Sequence, residues 1–503
     1  MTGPVVGFAV QREAFEPAPP SYANMSVIGL VGPAEPATGV VENDFVARFP
    51  LNTCVAFQST GAVARMFDPD GQIGLTLRLI NAQMGRMQTS ARVVYVRTEE
   101  GEDVDETIAN IVGVGASFTG LHAFKRAGAV VGYYPRLIGV PGFTEQTTVG
   151  ATATDIVGGG TGYDAAPTLA MPEGAGNGTG FAATAVLTGG VVTSVVISEP
   201  GDGYTPGTYN LTVSGGTPDT AASITVDVGY LANPVAAELP GVLNSFLGVA
   251  GVCGGTSNRN AAVDYRETLQ SERLMHLGFK ASMLDTEGNV VSVDPVGIFL
   301  GLHVRRDHEF GGRPFRSILN QPVYGILAPS RNIPFSITDG ASEGQDLLEH
   351  QCSILVRGES GDDFAIADGG QVFLGFEGLG EDLVWRQFHK VRGRDFIELT
   401  VIRTLRTFIG RFNVSVQCIK AVVDTVEIPL SQALAKQEVH GYLVRFDPEL
   451  NNEDDLRTGH IYVDCRFEEV AVFRKATILS RPHRPALTQA IESLLASNVL
   501  VGA

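Results

Sequence analysis

Long apolar runs, paired cysteines and charged residues are all scarce in this sequence. No apolar stretch reaches the roughly 18–20 residues that cross a bilayer, and Met1 to Pro4 carry no basic segment, so neither a membrane anchor nor a secretory signal is predicted. The five cysteines stand singly, without a Cys-x-x-Cys pair, which excludes the usual zinc patterns. Charged residues make up only 18% and the net charge is −19, so nonspecific binding to nucleic acid is not predicted.

Catalytic motifs are missing as well. The glycine run at 158–162 is followed by no helical pattern, and Pro167 interrupts it, so it is no phosphate-binding loop. His303 and His308 are five residues apart, a spacing that does not place two ligands on one helical face. The tripeptide ending at Ser257 is similar to the nucleophile corner of subtilisin-type proteases, so an α/β hydrolase with Ser257 as nucleophile stays open as an alternative. We predict no catalytic, cofactor-binding or metal-binding residue.

What the sequence does contain is an alternation of strand-like and helix-like segments over most of its 503 residues. This length predicts two to four domains, and the alternation indicates parallel α/β layering. The predicted fold class is α/β and multidomain, with one discontinuous α/β domain in two parts, 26–150 and 231–339.

The two parts are separated by a segment of different composition, 151–230. No Lys or Arg occurs between Arg136 and Arg259, whereas nine acidic residues do. The pattern Gly-x-Gly-Tyr at 160–163 recurs at 201–204, which predicts two tandem β units punctuated by glycine turns. We therefore expect an inserted all-β domain, and a β-rich surface adhesin centred on it is a second alternative function.

A C-terminal α+β domain is predicted over 340–480. Seven Lys/Arg lie between Trp385 and Phe412 against two acids, a basic stretch in an acidic chain. Asp395 and Glu398 have the spacing of a capping box and predict a helix start, and Pro429 predicts the start of a short third helix. Alternating residues after 440 predict strands at 441–447 and 461–467, with a third over 470–479.

Both ends of the chain are predicted to be arms. Val6, Phe8 and Val10 alternate in a short strand at 3–12, and a proline-rich spacer follows at 13–22, so 1–25 is predicted as a strand and linker. A strand at a chain end with nothing local to pair with must find a sheet edge, in this chain or in another. Prolines after the last strand stop any ladder, and 481–503 is predicted as a tail helix.

Several segments together resemble the contractile-tail sheath proteins of bacteriophages, which are related to the sheaths of R-type pyocins. They extend over the whole chain except 151–230, and this insertion is where the sequence departs from the family. The segments that carry the resemblance are Ser26–Gly32, Pro135–Gly142, Tyr265–Arg273, 391–397 (Val-Arg-Gly-Arg-Asp-Phe-Ile) and Leu456–Asp464.

The resemblance implies a subtilisin-like but non-catalytic α/β domain and a mechanical function. Sheath subunits stack as hexameric rings around a tail tube and contract to drive the tube through the host envelope. The implied partners are other copies of the chain, the tail tube protein, and baseplate and tail terminator proteins. The implied location is the virion, after assembly in the host cytoplasm.

The same resemblance implies roles for particular residues. The terminal strands would be donated to neighbouring subunits. We also expect a basic cluster to face an acidic tube, with a set of salt bridges inside the subunit as the alternative. Buried reduced thiols are the simplest expectation for the cysteines, but Cys465 on a linking strand, with Cys54, is a candidate for an inter-subunit disulfide. The expected residues are Val6, Phe8, Val10, Val470, Val472 and Phe473 for strand donation, and Arg386, Lys390, Arg392 and Arg394 for the tube contact.

Overall fold

The computed structural model describes residues 19–85 and 90–498. The chain divides into two units, one ending at Val470 and one beginning at Ala471. The predicted N-terminal strand at 3–12 lies outside the described residues.

The first unit contains strands and helices in similar proportion. Its strands are β1 (Ile28–Gly32), β2 (Cys54–Gln58), β3 (Arg92–Arg97), β4 (Leu137–Gly139), β5 (Val149–Gly158), β6 (Thr168–Ala170), β7 (Thr179–Thr188), β8 (Val191–Asp202), β9 (Gly207–Asn210), β10 (Thr212–Ser214), β11 (Ser223–Tyr230), β12 (Val249–Cys253), β13 (Leu274–Leu277), β14 (Ala281–Leu284), β15 (Val290–Val293), β16 (Gln321–Val323), β17 (Ala328–Pro329), β18 (Cys352–Arg357), β19 (Gln371–Leu374), β20 (Val439–Phe446) and β21 (Val463–Glu469).

The α-helices lie mainly on the faces of the large sheet and in the C-terminal part. They are α1 (Glu42–Arg48), α2 (Gln72–Gln83), α3 (Val104–Val112), α4 (Ala127–Val130), α5 (Pro234–Asn244), α6 (Arg259–Glu267), α7 (Val296–Glu309), α8 (Glu343–Glu349), α9 (Phe388–Leu405), α10 (Val416–Ala435), α11 (Glu453–Thr458) and, in the second unit, α12 (Arg484–Asn498).

A nine-stranded sheet forms the body of the first unit, in the order β16-β19-β18-β13-β12-β4-β1-β3-β2. The six strands from β18 to β3 run parallel, and antiparallel strands close both edges. Alternate residues of β1 enter different cores: Ile28 and Leu30 pack on one face, Val31 on the other. A sheet buried on both faces explains why these strands read as continuous apolar runs, and the predicted α/β layering is confirmed.

The large sheet runs across the domain boundary predicted at residue 340. β18 pairs with β13, and β19 pairs with β18, so both extend the sheet that begins with β1. The apolar runs of these strands looked like the start of a new domain. Their neighbours in the sheet are distant in sequence, which local patterns do not reveal.

Residues 149–230 form a separate β module between β4 and α5. Its two sheets, β5-β11-β9 and β10-β6-β7-β8, enclose their own apolar core. The first and last residues of the module pair with each other, Val149 with Tyr230, which makes a narrow neck. The insertion therefore leaves the strand order of the large sheet uninterrupted.

Both copies of the Gly-x-Gly-Tyr pattern adopt the same backbone conformation, with two glycines at positive φ. Gly160 and Gly162 have φ of +66° and +81°, and Gly201 and Gly203 have φ of +71° and +76°. The tyrosine after each pair, Tyr163 or Tyr204, is buried in the core of the module. Glycine is required because this left-handed region is costly for other residues.

Two helix boundaries differ from the predictions. Helix α9 begins at Phe388, seven residues before the predicted capping box. Asp395 does not cap a helix, because its side chain forms a buried ion pair with Arg273 at 2.6 Å. α10 continues through Pro429, where a new helix was predicted. Although proline removes one helical hydrogen bond, burial of Val426, Leu430 and Ala433 holds both halves of α10 against the same core.

Replacing Gly201 by Ala should destabilise the insertion by about 1–3 kcal/mol, because it adds a side chain at positive φ. The new Cβ would also lie 2.7 Å from the carbonyl oxygen of Thr179. Hydrogen exchange of the full chain should show faster exchange within 149–230.

Gly174→Ala is the matched control, since nothing lies within 4 Å of a Cβ there and its φ is not positive. Equal exchange in both variants would contradict the structural role of the repeat.

Candidate subunit-linking site

The antiparallel pair β20–β21 lies at the C-terminal end of the first unit. Its ladder runs from Phe446 opposite Val463 to Val439 opposite Glu469. One face packs on α9 and α10 through Tyr442, Val444 and Phe467. Within residues 19–85 and 90–498 neither strand has a second neighbour, so both outer edges are open. Open edges carry unpaired backbone groups that a strand from another chain can complete.

The predicted strand-donating residues fall into three places. Val6, Phe8 and Val10 lie outside the described residues. Val470 ends the first unit: its N–H donates to the Glu438 carbonyl at 3.0 Å, and its carbonyl accepts from His389 Nε2 at 3.1 Å. Val472 and Phe473 belong to the second unit, in a stretch, 471–483, that is neither helix nor strand.

The predicted basic cluster does not form a free basic surface. Each of the four cations pairs with a carboxylate of the same chain, and the tube contact stays a prediction for Arg386, Lys390 and Arg394. A run of local positive charge suggested an exposed surface, but the compensating acids are far away in sequence. The pairs are Arg386 with Glu377 at 3.3 Å, Lys390 with Glu468 at 3.0 Å, Arg392 with Asp307 at 2.6 Å and Arg394 with Glu469 at 2.7 Å.

Arg392 is the clearest correction, because its side chain is only 1% exposed. Its guanidinium donates to both oxygens of Asp307, at 2.6 and 3.0 Å, and to the Met25 carbonyl at 3.2 Å. It also donates to Nδ1 of His303 at 2.9 Å. Burial, together with the nearby Arg392 charge, holds the pKa of His303 well below its usual value, so the ring is neutral and can accept this bond.

The cysteines follow the simpler expectation. Cys54, Cys253, Cys352 and Cys418 are buried, and Cys465 is half-buried on β21. Cys54 is wrong as a disulfide candidate, because its thiol is buried against the Ala123 carbonyl at 3.3 Å and cannot reach another subunit. Burial also raises the pKa of Cys54 to about 12, which keeps the thiol protonated and unreactive.

The hydrolase alternative finds no support in the geometry around Ser257. Ser257 lies on an exposed turn after β12, where its hydroxyl accepts from the Asn258 side chain at 3.3 Å. His276 is buried, stacks on Tyr265 and bonds to the Gly254 carbonyl at 2.8 Å. Burial lowers the pKa of His276 to about 4, so its ring is neutral and its Nε2 donates this bond. The described residues thus assemble no serine–histidine pair at this corner.

Metal and membrane sites were searched over the same residues. In the described ranges, no group of three or more His, Cys, Asp or Glu side chains is arranged to hold a metal ion. None of the helices described there is both long and apolar enough to cross a bilayer.

Comparisons with known proteins agree on one kind of relative. A prophage protein of Pseudomonas aeruginosa (strain UCBPP-PA14) named as a major tail sheath protein is 23% identical over 237 residues, 47% of this chain and 58% of that protein. The major tail sheath protein of Serratia phage KSP20 is 31% identical over 124 residues, 24% of this chain and 29% of that protein. The tail sheath protein of Escherichia phage P2 is 27% identical over 143 residues, 27% of this chain and 33% of that protein. The chain thus matches less than two thirds of the length of each, and no family model matches it.

Solved structures extend the likeness to nearly the whole chain. The contracted helical sheath of the anti-feeding prophage matches with a TM-score of 0.55 at 12% identity, covering 96% of this chain and 100% of that one. The contracted sheath complex of the extracellular contractile injection system PVC gives 0.55 at 9% identity, covering 95% and 99%. The fold is therefore that of contractile sheath proteins.

Sequence and fold point the same way, and the resemblance predicted from the sequence is confirmed. The chain is a relative of the contractile tail sheath proteins of phages.

In the folded chain, Cys54 and Cys352 should react with a thiol-specific reagent about a thousandfold more slowly than free cysteine, because burial raises the pKa of both to about 12. Half-buried Cys465 should react first. In denaturant all five cysteines should react equally, and fast labelling of Cys54 in the native chain would contradict the burial described above.

Proposed function

We propose that this chain is the structural subunit of a contractile tail sheath, and that copies of it polymerise by exchanging terminal strands. The observation that carries the proposal is the β20–β21 pair, whose two open edges lie next to the point where the C-terminal segment leaves the first unit. The similarity to sheath proteins in sequence and fold supports the same reading.

Strand exchange suits a sheath because the linking bonds are backbone bonds. Ladder hydrogen bonds require no matching side chains, so they tolerate large movements of the linked bodies. The segment 471–483 has thirteen residues, and an extended chain of that length spans at most about 45 Å. Residues 470–479 would add to the β20–β21 edge of one neighbour, and residues 3–12 would add to that of another.

The finer features of the proposal are those that the family resemblance implies. Subunits would stack as hexameric rings around a tail tube, with baseplate and terminator proteins at the ends. They would assemble in the host cytoplasm and remain in the virion. The nine-stranded sheet would be the counterpart of the subtilisin-like, non-catalytic domain. Contraction would release a metastable packing and drive the tube through the host envelope, as in other strain-release switches.

Negative-stain microscopy of the purified full chain tests the proposal. We expect rings or striated tubes, because each copy both offers and accepts strands. Compact monomers at every concentration tried, with or without a tube protein, would refute the sheath function.

A second experiment tests the C-terminal arm. A chain ending at Val470 should fold with unchanged thermal stability but form no tubes, because it lacks the donated strand. A chain ending at His483 keeps that strand and loses only α12, so it is the matched control and should still assemble. Deleting residues 1–12 removes the predicted N-terminal strand, and this variant should likewise fold but form no tubes. Normal tubes from the chain ending at Val470 would refute strand donation by 471–483.

A further inference from the structure

One helix, α9, contacts the roots of both terminal arms. On one side it holds the end of the N-terminal arm through backbone groups. The Ser21 N–H donates to Thr404 Oγ1 at 3.1 Å, and Arg403 donates to the Tyr22 carbonyl at 2.9 Å. The Tyr22 ring stacks on Phe396 of α9, with centroids 5.8 Å apart and planes within 2°. The first described residues are therefore fixed along the helix.

The C-terminal arm is held by other side chains of the same helix. Lys390 pairs with Glu468 at 3.0 Å, and Arg394 pairs with Glu469 at 2.7 Å. Arg394 also donates to the Phe467 carbonyl at 2.9 Å and lies over the Phe467 ring at 4.1 Å. These contacts fall on the last three residues of β21, just before Val470, whose carbonyl bonds to His389 on α9.

Two buried ion pairs tie α9 to the body of the first unit. Arg392 binds Asp307 at the end of α7, and Asp395 binds Arg273, which lies immediately before β13. Both pairs are bidentate, a geometry that fixes orientation as well as distance. Arg392 also reaches the Met25 carbonyl, so a single guanidinium connects the N-terminal root, α9 and α7.

The placement of the C-terminal contacts matters for a strand under tension. Val439 and Glu469 form the last pair of the β20–β21 ladder, at the end from which the arm leaves. Pulling on the arm would open a two-stranded ladder from this end, one pair at a time. The ladder is held at both strands there. Arg394 binds Glu469, and Arg313 forms a buried pair at 2.7 Å with Glu438, the residue immediately before β20.

We infer that α9 is the tension joint of the subunit. Force arriving through either arm passes into this helix and, through the Arg392–Asp307 and Asp395–Arg273 pairs, into the body. His389, Lys390, Arg394, Arg403 and Thr404 act as positioning residues for the arms. This inference rests on the proposed function, because only a polymer linked through its arms puts them under tension.

Pulling the full-length chain from its two ends in an optical trap tests the joint directly. Arg394→Gln should raise the rate of the first rupture at fixed force about tenfold or more, because it removes the ion pair with Glu469 and the bond to the Phe467 carbonyl. Arg466→Gln is the matched control: it removes an ion pair from the same strand, but the Arg466 side chain is 66% exposed and bonds to Asp464 instead of to α9. Equal rupture rates in the two variants would overturn the inference.

Hydrogen exchange on the unassembled subunit tests whether α9 holds the roots of both arms. Arg392→Gln should raise exchange about tenfold or more both at 20–26 and at 463–470. The matched control is Arg305→Gln, since Arg305 is also a buried arginine but bonds to the Gln83 and Pro322 carbonyls instead of α9. Faster exchange at one root only, or the same pattern in both variants, would overturn the inference.

Lys390→Gln is the substitute should Arg392→Gln not fold, and it should loosen 463–470 while leaving 20–26 unchanged. No change at 463–470 would again overturn the joint. These readouts need no polymer. A wild-type chain that never forms tubes would therefore refute the proposed function. The exchange and trap results would still test the role of α9 separately.

Discussion

The buried ion pair between Arg392 and Asp307 is the contact on which the C-terminal architecture depends. Both side chains are only 1% exposed, and the cost of their desolvation is offset by the two charge-assisted bonds that the terminal nitrogens of Arg392 donate to Asp307. Replacing either partner alone would leave an isolated buried charge, at a cost of about 3–5 kcal/mol. An apolar pair could fill the same volume, but it would not fix the rotation of α9 about its axis. That rotation decides which side chains face each arm.

Hydrophobic pattern was sufficient to predict the layered α/β fold. The six parallel strands are buried on both faces. Such a strand can be predicted from its own residues, because it is a continuous apolar run such as 93–96. The glycine repeat of the insertion was equally local, because each Gly-x-Gly-Tyr unit fixes its own backbone turn. The boundary at 340 was not predictable in this way, since β18 joins the sheet through β13, a strand more than seventy residues earlier.

Charge pattern was misleading for a similar reason. The seven cations near α9 gave a local excess, but the acids that neutralise Arg392 and Arg394 lie 85 and 75 residues away in sequence. Asp395 has its partner 122 residues away, which is why its local capping signal did not decide the helix start. The one local clue was the pair Glu468–Glu469, two adjacent acids at the end of a strand.

A sheet of two strands is only marginally stable in water. The β20–β21 sheet is stabilised through one of its faces and not by further strands at its edges. The apolar face of β20–β21 rests on α9 and α10, whereas neither strand has a second strand neighbour among the described residues. In the proposed sheath, side-chain packing and ion pairs would hold the sheet to its own subunit, and backbone bonds would link it to neighbours. Side-chain contacts are specific and resist sliding, while backbone ladders accept any sequence of suitable alternation. In the proposed sheath, a subunit linked in this way would change its packing against its neighbours while the backbone ladders stay intact.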